Sequence, residues 1–274
     1  MADNLFTDET PSGKSYDASS IQVLEDMEHV RLRPGMYIGG TDDRALHHMV
    51  AEIIDNSMDE AVAGHATWIE VELHDNFHVT VRDNGRGIPV DMHPKFPDKS
   101  ALEIIFCTLN AGGKFSGDNY ETSGGLHGVG SSVVNALSDY LHVEVAKNRE
   151  LFAMDFSRGL PQGKLQNLGA TQNRRGTSVS FHPDPDIFGT SAKFKAKRLY
   201  DMAKSKAYLF SGVEIRWKVA QSCLTAGDET PLTDTFKFPN GLADYLTERL
   251  EGASVYSEIP FAGKVKFAEK FGNN

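Results

Sequence analysis

Residues 68–83 carry two short runs in which apolar and polar side chains alternate, and this alternation constrains the fold more than any other feature of the chain. In WIEVELHD, Ile69, Val71 and Leu73 alternate with Glu70, Glu72 and His74; in FHVTVRD, Phe77, Val79 and Val81 alternate with polar neighbours. Successive strand side chains point to opposite faces, so the pattern predicts a hairpin turning at Asp75-Asn76, with one face buried and the other wet. The buried face needs a second layer. Helical spacing predicts one, with helices over Ile21 to Val30, Ala45 to Ala63 (stopping at Gly64), Ser100 to Leu109, Ser131 to Tyr140 and Phe194 to Leu209. Further strands are expected at LHVEVA, LFAMDF, TSVSFHP and VEIRWKV. The predicted class is α+β, a two-layer sandwich of a mixed, mainly antiparallel sheet with helices on one face.

With 274 residues, 40% of them apolar, the chain can build one large core and part of a second. Three regions are expected: an N-terminal arm over 1–20, a main domain over 21–220, and a linker with the beginning of a further domain over 221–274. The polar, turn-rich QSCLTAGDETPLTDT marks the linker or an edge loop, and GLADYLTERLEG reads as a short amphipathic helix. The polar arm has no apolar run of a secretory signal or membrane anchor, and the two cysteines suggest neither a disulfide framework nor a zinc site, so a cytoplasmic setting without membrane contact is expected. A formal charge of −10 argues against broad phosphate-backbone binding, and the basic run Lys193 to Arg198 reads as a solvated helix face.

Three motifs carry chemistry. On the helix over 45–63, Leu46, Met49, Val50, Ile53, Ile54 and Ala61 form the buried stripe, while His48, Glu52 and Asn56 stand four apart on another face. That ladder can orient water, take its proton and hold a metal ion, although an exposed polar face alone would look the same. Asp83-Asn84-Gly85-Arg86-Gly87-Ile88-Pro89 ends the second strand, and its Asn-Gly step is also a hairpin signal. The following IPVDMHPKFPDKS has three prolines and no alternation, so a returning strand is not expected there. A strand-end Asp beside glycines can instead offer a carboxylate to an amine on a flat ring. Finally, Ser123 to Gly130 (SGGLHGVG) opens a helix, where main-chain N–H groups suit phosphates, or serves as a flexible tether. No GxxxxGK[ST] motif and no βαβ setting accompany it, so neither a P-loop nor a dinucleotide fold is supported. Lys114 is either a phosphate-facing cation or a solvated loop lysine.

The succession Glu52-x-x-x-Asn56, Asp83-x-Gly85-x-Gly87, Gly125-x-x-Gly128-x-Gly130 and Gly176-Thr177 resembles the nucleotide boxes of the GHKL ATPases. Arg33-Pro34-Gly35-Met36-Tyr37-Ile38-Gly39, Asp59-Glu60-Ala61 and Ala111-Gly112-Gly113-Lys114-Phe115 look like the B subunits of bacterial type II topoisomerases, and the resemblance spans Tyr16 to Val219. The segments 207–215 and 238–246 look more like the topoisomerase IV branch than the gyrase branch.

The resemblance implies ATP and Mg²⁺ as cofactors. Glu52 would be the general base supported by His48, and Asn56 the magnesium ligand. Asp83 would accept from the adenine amino group, with Thr177 assisting through water, while Ile88, Pro89 and Ile104 line the ring pocket. Gly124, Gly125, Leu126, His127, Gly128, Val129 and Gly130 would wrap the phosphates, and Lys114 and Tyr120 would reach in from a lid. Glu60 would pair with Arg86 beside Gly87 at the pocket mouth, where ATP-competitive inhibitors bind, and Tyr16 would cross to a second protomer when ATP closes a self-dimer. The implied assembly joins the A subunit of topoisomerase IV and passes DNA, which this stretch alone should bind poorly. A lysine of the following transducer domain contacts the γ-phosphate in this family, so weak or no hydrolysis is expected. The equivalent gyrase domain and a non-hydrolysing protein-interaction module are the alternatives.

Overall fold

The computed structural model describes residues 23–113 and 128–254, together with Ala18, Ile21 and Gly263. The helical side opens with α1 (Asp26–Leu32), α2 (Gly35–Ile38) and the long α3 (Asp43–Val62). Asp42 caps α3 by accepting from the main-chain N–H groups of Arg44 and Ala45, which starts the helix two residues before the expected Ala45. The hairpin β1 (Trp68–Leu73) and β2 (Val79–Asp83) follows, then a small ribbon of β3 (Met92–His93) and β4 (Phe96–Ser100), and α4 (Ala101–Cys107). After the undescribed stretch come α5 (Gly130–Ala136), β5 (Ser138–Lys147), β6 (Glu150–Ser157), β7 (Leu160–Pro161), β8 (Gln166–Ala170) and β9 (Gly176–Pro183). The chain continues through α6 (Pro185–Phe188), α7 (Ala196–Leu209), β10 (Glu214–Val219), β11 (Thr233–Phe236) and α8 (Leu242–Arg249).

Nine strands form one sheet in the order β11-β10-β1-β2-β9-β5-β6-β7, with β8 also on the edge of β6. Every pair in it is antiparallel except β1 with β10, so the expected mixed, mainly antiparallel α+β class holds. The alternation does what its period requires. Ile69, Val71, Leu73, Val79 and Val81 point into the core and meet Leu46, Met49, Val50, Ile53 and Ile54 of α3, with Val143, Val179, Phe181 and Ile215 extending the same layer. Each such buried side chain contributes about 1.5–3 kcal/mol of transfer free energy.

Besides shifts of one or two residues at the ends of α3, α4 and α7, three elements differ from expectation. The first helix begins at Asp26 rather than Ile21, and Val23 before it is exposed. The helix expected to reach Tyr140 stops at Ala136, because Ser138 already belongs to a ten-residue strand. The polar stretch after 220 holds β11, whose Thr233–Phe236 pairs with β10 and extends the sheet.

Candidate functional site

On β2 the inward positions are Val79, Val81 and Asp83, so the same alternation that builds the core delivers a carboxylate into it. Asp83 is only 5% exposed. Three donors hold it: Gly85 N–H (2.8 Å) and Thr177 N–H (3.3 Å) donate to Oδ1, and the Ser57 hydroxyl (3.1 Å) donates to Oδ2. Burial pushes its carboxyl up to about 6, against the pull of those donors, and the nearby Glu60 carboxylate pushes the same way. The carboxyl therefore ionises just below neutral pH, and its charged form can accept a further hydrogen bond.

The first residue of β9 makes this geometry possible. Gly176 sits at φ +103, and a Cβ there would lie 2.8 Å from the Asn84 Cα, so only glycine allows β9 to come this close to the end of β2. That approach places Thr177 directly on Asp83 through its N–H, while its hydroxyl accepts from Ile88 N–H at 3.2 Å.

Along α3, His48, Glu52 and Asn56 share one edge. His48 Nε2 lies 3.2 Å from Glu52 Oε1, and Asn56 Nδ2 donates to the Ser131 hydroxyl at 3.1 Å. The α5 backbone passes so near that a Cβ on Gly130 would run into the Glu52 carboxylate. One turn beyond Asn56, Glu60 grips Arg86: Nη2 donates to Oε1 at 2.7 Å, and Nε and the main-chain N–H donate to Oε2. Ile88 is half-buried against the core, Ile104 is buried and Pro89 is exposed. Gly128 and Val129 lead into α5, and the Gly87 carbonyl accepts from Lys147 Nζ at 3.1 Å. Tyr16, Lys114, Tyr120, Gly124, Gly125, Leu126 and His127 lie outside the described residues.

The sequence reading overlooked Ser57, Ser131 and Lys147. Ser57 carried a signal: it stands four residues after Ile53 and three after Ile54, a polar residue in the buried stripe that must find a partner. Nothing in the spacing marked Ser131 or Lys147.

The sequence profile of the histidine kinase-, DNA gyrase B- and HSP90-like ATPases matches residues 41–187, which contain α3, Asp83, Gly130 and Thr177. The chain belongs to that ATPase family. Its similarities narrow further, to B subunits of type II topoisomerases. The B subunit of DNA topoisomerase 4 from Bartonella bacilliformis is 56% identical over 252 residues, covering 92% of this chain and 36% of that protein. The protein of the same name from Caulobacter vibrioides is 56% identical over 251 residues, again 92% of this chain and 36% of the relative. The DNA gyrase B subunit of Thermotoga maritima is 46% identical over 246 residues, 90% of this chain and 37% of the relative. The chain thus spans little more than a third of the length of these relatives. Among solved structures, the 43K ATPase domain of Thermus thermophilus gyrase B, in complex with an aminocoumarin, superimposes with a TM-score of 0.76 at 36% identity, over 89% of this chain and 60% of that one.

Proposed function

We propose that the chain binds ATP with Mg²⁺ in the pocket between α3, α5 and the β2–β9 edge, as the ATPase domain of a topoisomerase IV B subunit. The observation that carries this reading is Asp83, a buried carboxylate at a strand end whose three donors fix it for a fourth, the adenine amino group. The donor set fits the cofactors. Asn56 offers an amide oxygen, a hard ligand suited to Mg²⁺, and no cluster of three His, Cys, Asp or Glu side chains that could hold a metal exists among the described residues. A single protein oxygen together with nucleotide phosphates is an ordinary way to hold this ion. When bound, the ion neutralises charge on the triphosphate.

In this reading Glu52 takes the proton of the attacking water onto its carboxylate, and His48, whose Nε2 faces Oε1, orients and supports it. Gly124 to Gly130 wrap the phosphates with main-chain N–H groups, Lys114 and Tyr120 close over them, and Ile88, Pro89 and Ile104 flank the ring. Thr177 assists at the purine edge from the position that its N–H to Asp83 fixes. Residues 21–220 are the nucleotide unit, 1–20 an arm whose Tyr16 reaches a second copy, and 221–274 the passage to a transducer, of which β11 still belongs to the sheet of the nucleotide unit. ATP then favours the closed dimer by mass action, because part of its site comes from the partner copy. The topoisomerase IV A subunit and DNA are the remaining partners, decatenation or relaxation the outcome, and the cytoplasm the setting. Topoisomerase IV is preferred to gyrase on relatives at 56% against 46% identity. No helix among the described residues is long and apolar enough to cross a membrane.

Calorimetric titration with a non-hydrolysable ATP analogue and Mg²⁺ tests the reading. Saturable binding is expected, weakened about 10-fold or more in Asp83→Ala, the scale of a lost hydrogen bond to a charged group. Silence on folded protein would favour a non-hydrolysing interaction module.

A further inference from the structure

Away from Asp83 and α3, the open face of the sheet carries a depression of about 550 Å³, lined by residues of β1, β2, the β5–β6 turn and the segment leading into β9. Four arginines line it, Arg82, Arg149, Arg174 and Arg175, and no carboxylate does. In a chain of net charge −10, that is a local reversal of sign. Glu144 neutralises one of the four by pairing with Arg174. The other three make no ion pair among the described residues: Arg175 reaches only the His65 carbonyl at 2.8 Å, and Arg82 lies over the Trp68 ring at 5.4 Å.

Two observations mark this as more than a solvated patch. The Arg82 Nε is buried without a hydrogen-bond partner, a donor left unsatisfied in the structure. In the two-residue turn of the β5–β6 hairpin, Asn148 and Arg149 have φ of 53° and 65°. Glycine is favoured at the second of these positions, so Arg149 holds its guanidinium over the depression at a cost in backbone strain. Trp68 is no free stacking platform, because Arg82 covers it and Arg216 lies 4.6 Å from its ring. The ligand chemistry is therefore that of closely spaced anions rather than of an unstacked base.

We propose that this depression receives phosphates of a DNA duplex backbone, through Arg82, Arg149 and Arg175. The choice of duplex DNA among polyanions rests on the topoisomerase reading above. Affinity is modest, since only three unpaired arginines act against the overall negative charge. Binding is insensitive to sequence and weakens with salt by a slope of about −0.9 per neutralised phosphate.

The test is fluorescence anisotropy of a short labelled duplex titrated with the whole chain at about 50 mM and about 200 mM salt. The double variant Arg149→Gly, Arg175→Gln should bind about 10-fold more weakly at the lower salt and lose about two units of salt slope. Glycine at position 149 relieves the positive φ, so a folding failure is not expected there, and the far helix-side variant Lys204→Gln should bind as the unaltered chain does. No saturable binding by the unaltered chain, or an unchanged slope in the double variant, would overturn the proposal. ATP-analogue calorimetry separates the two readings: in the unaltered chain, no duplex binding with analogue binding intact sinks the DNA site and the converse sinks the nucleotide reading alone, while the double variant should keep analogue binding as it loses duplex.

Discussion

Arg82 and Asp83 are neighbours on β2, yet Asp83 is buried under α3 and Arg82 opens to the other side of the sheet. The same contrast runs along every central strand. The helix-covered face presents Ile69, Val71, Val81, Val143 and Phe181, and the open face presents Glu70, Thr80, Glu144, Ser178, Ser180 and Lys218. On the covered face each polar group has named donors and close backbone, as around Asp83. On the open face, away from the arginine-lined depression where Arg82 Nε is buried without a partner, charged groups meet in solvent-screened pairs such as Lys218 with Glu70 at 3.0 Å. A polar group on the covered face is thus coupled to the fold, and one on the open face is nearly independent of it. Chemistry that needs a shifted carboxyl belongs to the first, and chemistry that needs accessible charge to the second.

That comparison can be broken or sharpened. The largest effect is expected at Gly176→Ala, where a Cβ would meet the Asn84 backbone at a φ only glycine tolerates. A loss of about 3 kcal/mol in urea unfolding is expected, and a change below about 0.5 kcal/mol would mean that the β2–β9 edge is looser than described.

Next comes pH. The Asp83 carboxyl is raised from 3.8 to about 6, so the native state holds its proton more tightly than the unfolded chain does. Its contribution to stability is therefore present below pH 3.8 and is lost as pH rises through about 6. The difference between the unaltered chain and Asp83→Asn across that interval should fall by about 3 kcal/mol, on the scale of 1.36 kcal/mol per unit. Parallel stability curves would show that Asp83 is not buried as a titrating acid. The smallest effect is expected on the open face: Lys218→Ala should cost less than about 1 kcal/mol and leave nucleotide affinity unchanged, and a larger loss in thermal melting would deny the independence of that face.

The covered face was also the legible one. Its alternation in 68–83 and the stripe of α3 have strict periods, because burial imposes them, and they fixed both the class and the inward position of Asp83. Edge strands were not legible. All five residues of β8 are exposed, and β11 buries only Phe236 among four, so neither offers a period to read. The end of α5 was missed for a different reason: NALSDYL continues a helical pattern, and only the pairing of β5 with β6 and β9 pulls Ser138 onward into a strand. In the site, motif spacing located the α3 ladder and the strand-end Asp. It could not show that Thr177 meets Asp83 through its main chain, a contact between residues far apart in sequence that depends on Gly176.

Asp83 as an acceptor for an exocyclic amine is the central claim. Its most direct measurement is the ratio of affinities for ATP and GTP analogues, with Mg²⁺, in the unaltered chain and in Asp83→Asn. Guanine presents a carbonyl oxygen where adenine presents the amine, so the unaltered chain should favour adenine by about 10-fold or more, and the asparagine, able to donate as well as accept, should bring the ratio towards one. Equal affinities in the unaltered chain, or a ratio indifferent to the substitution, would contradict it.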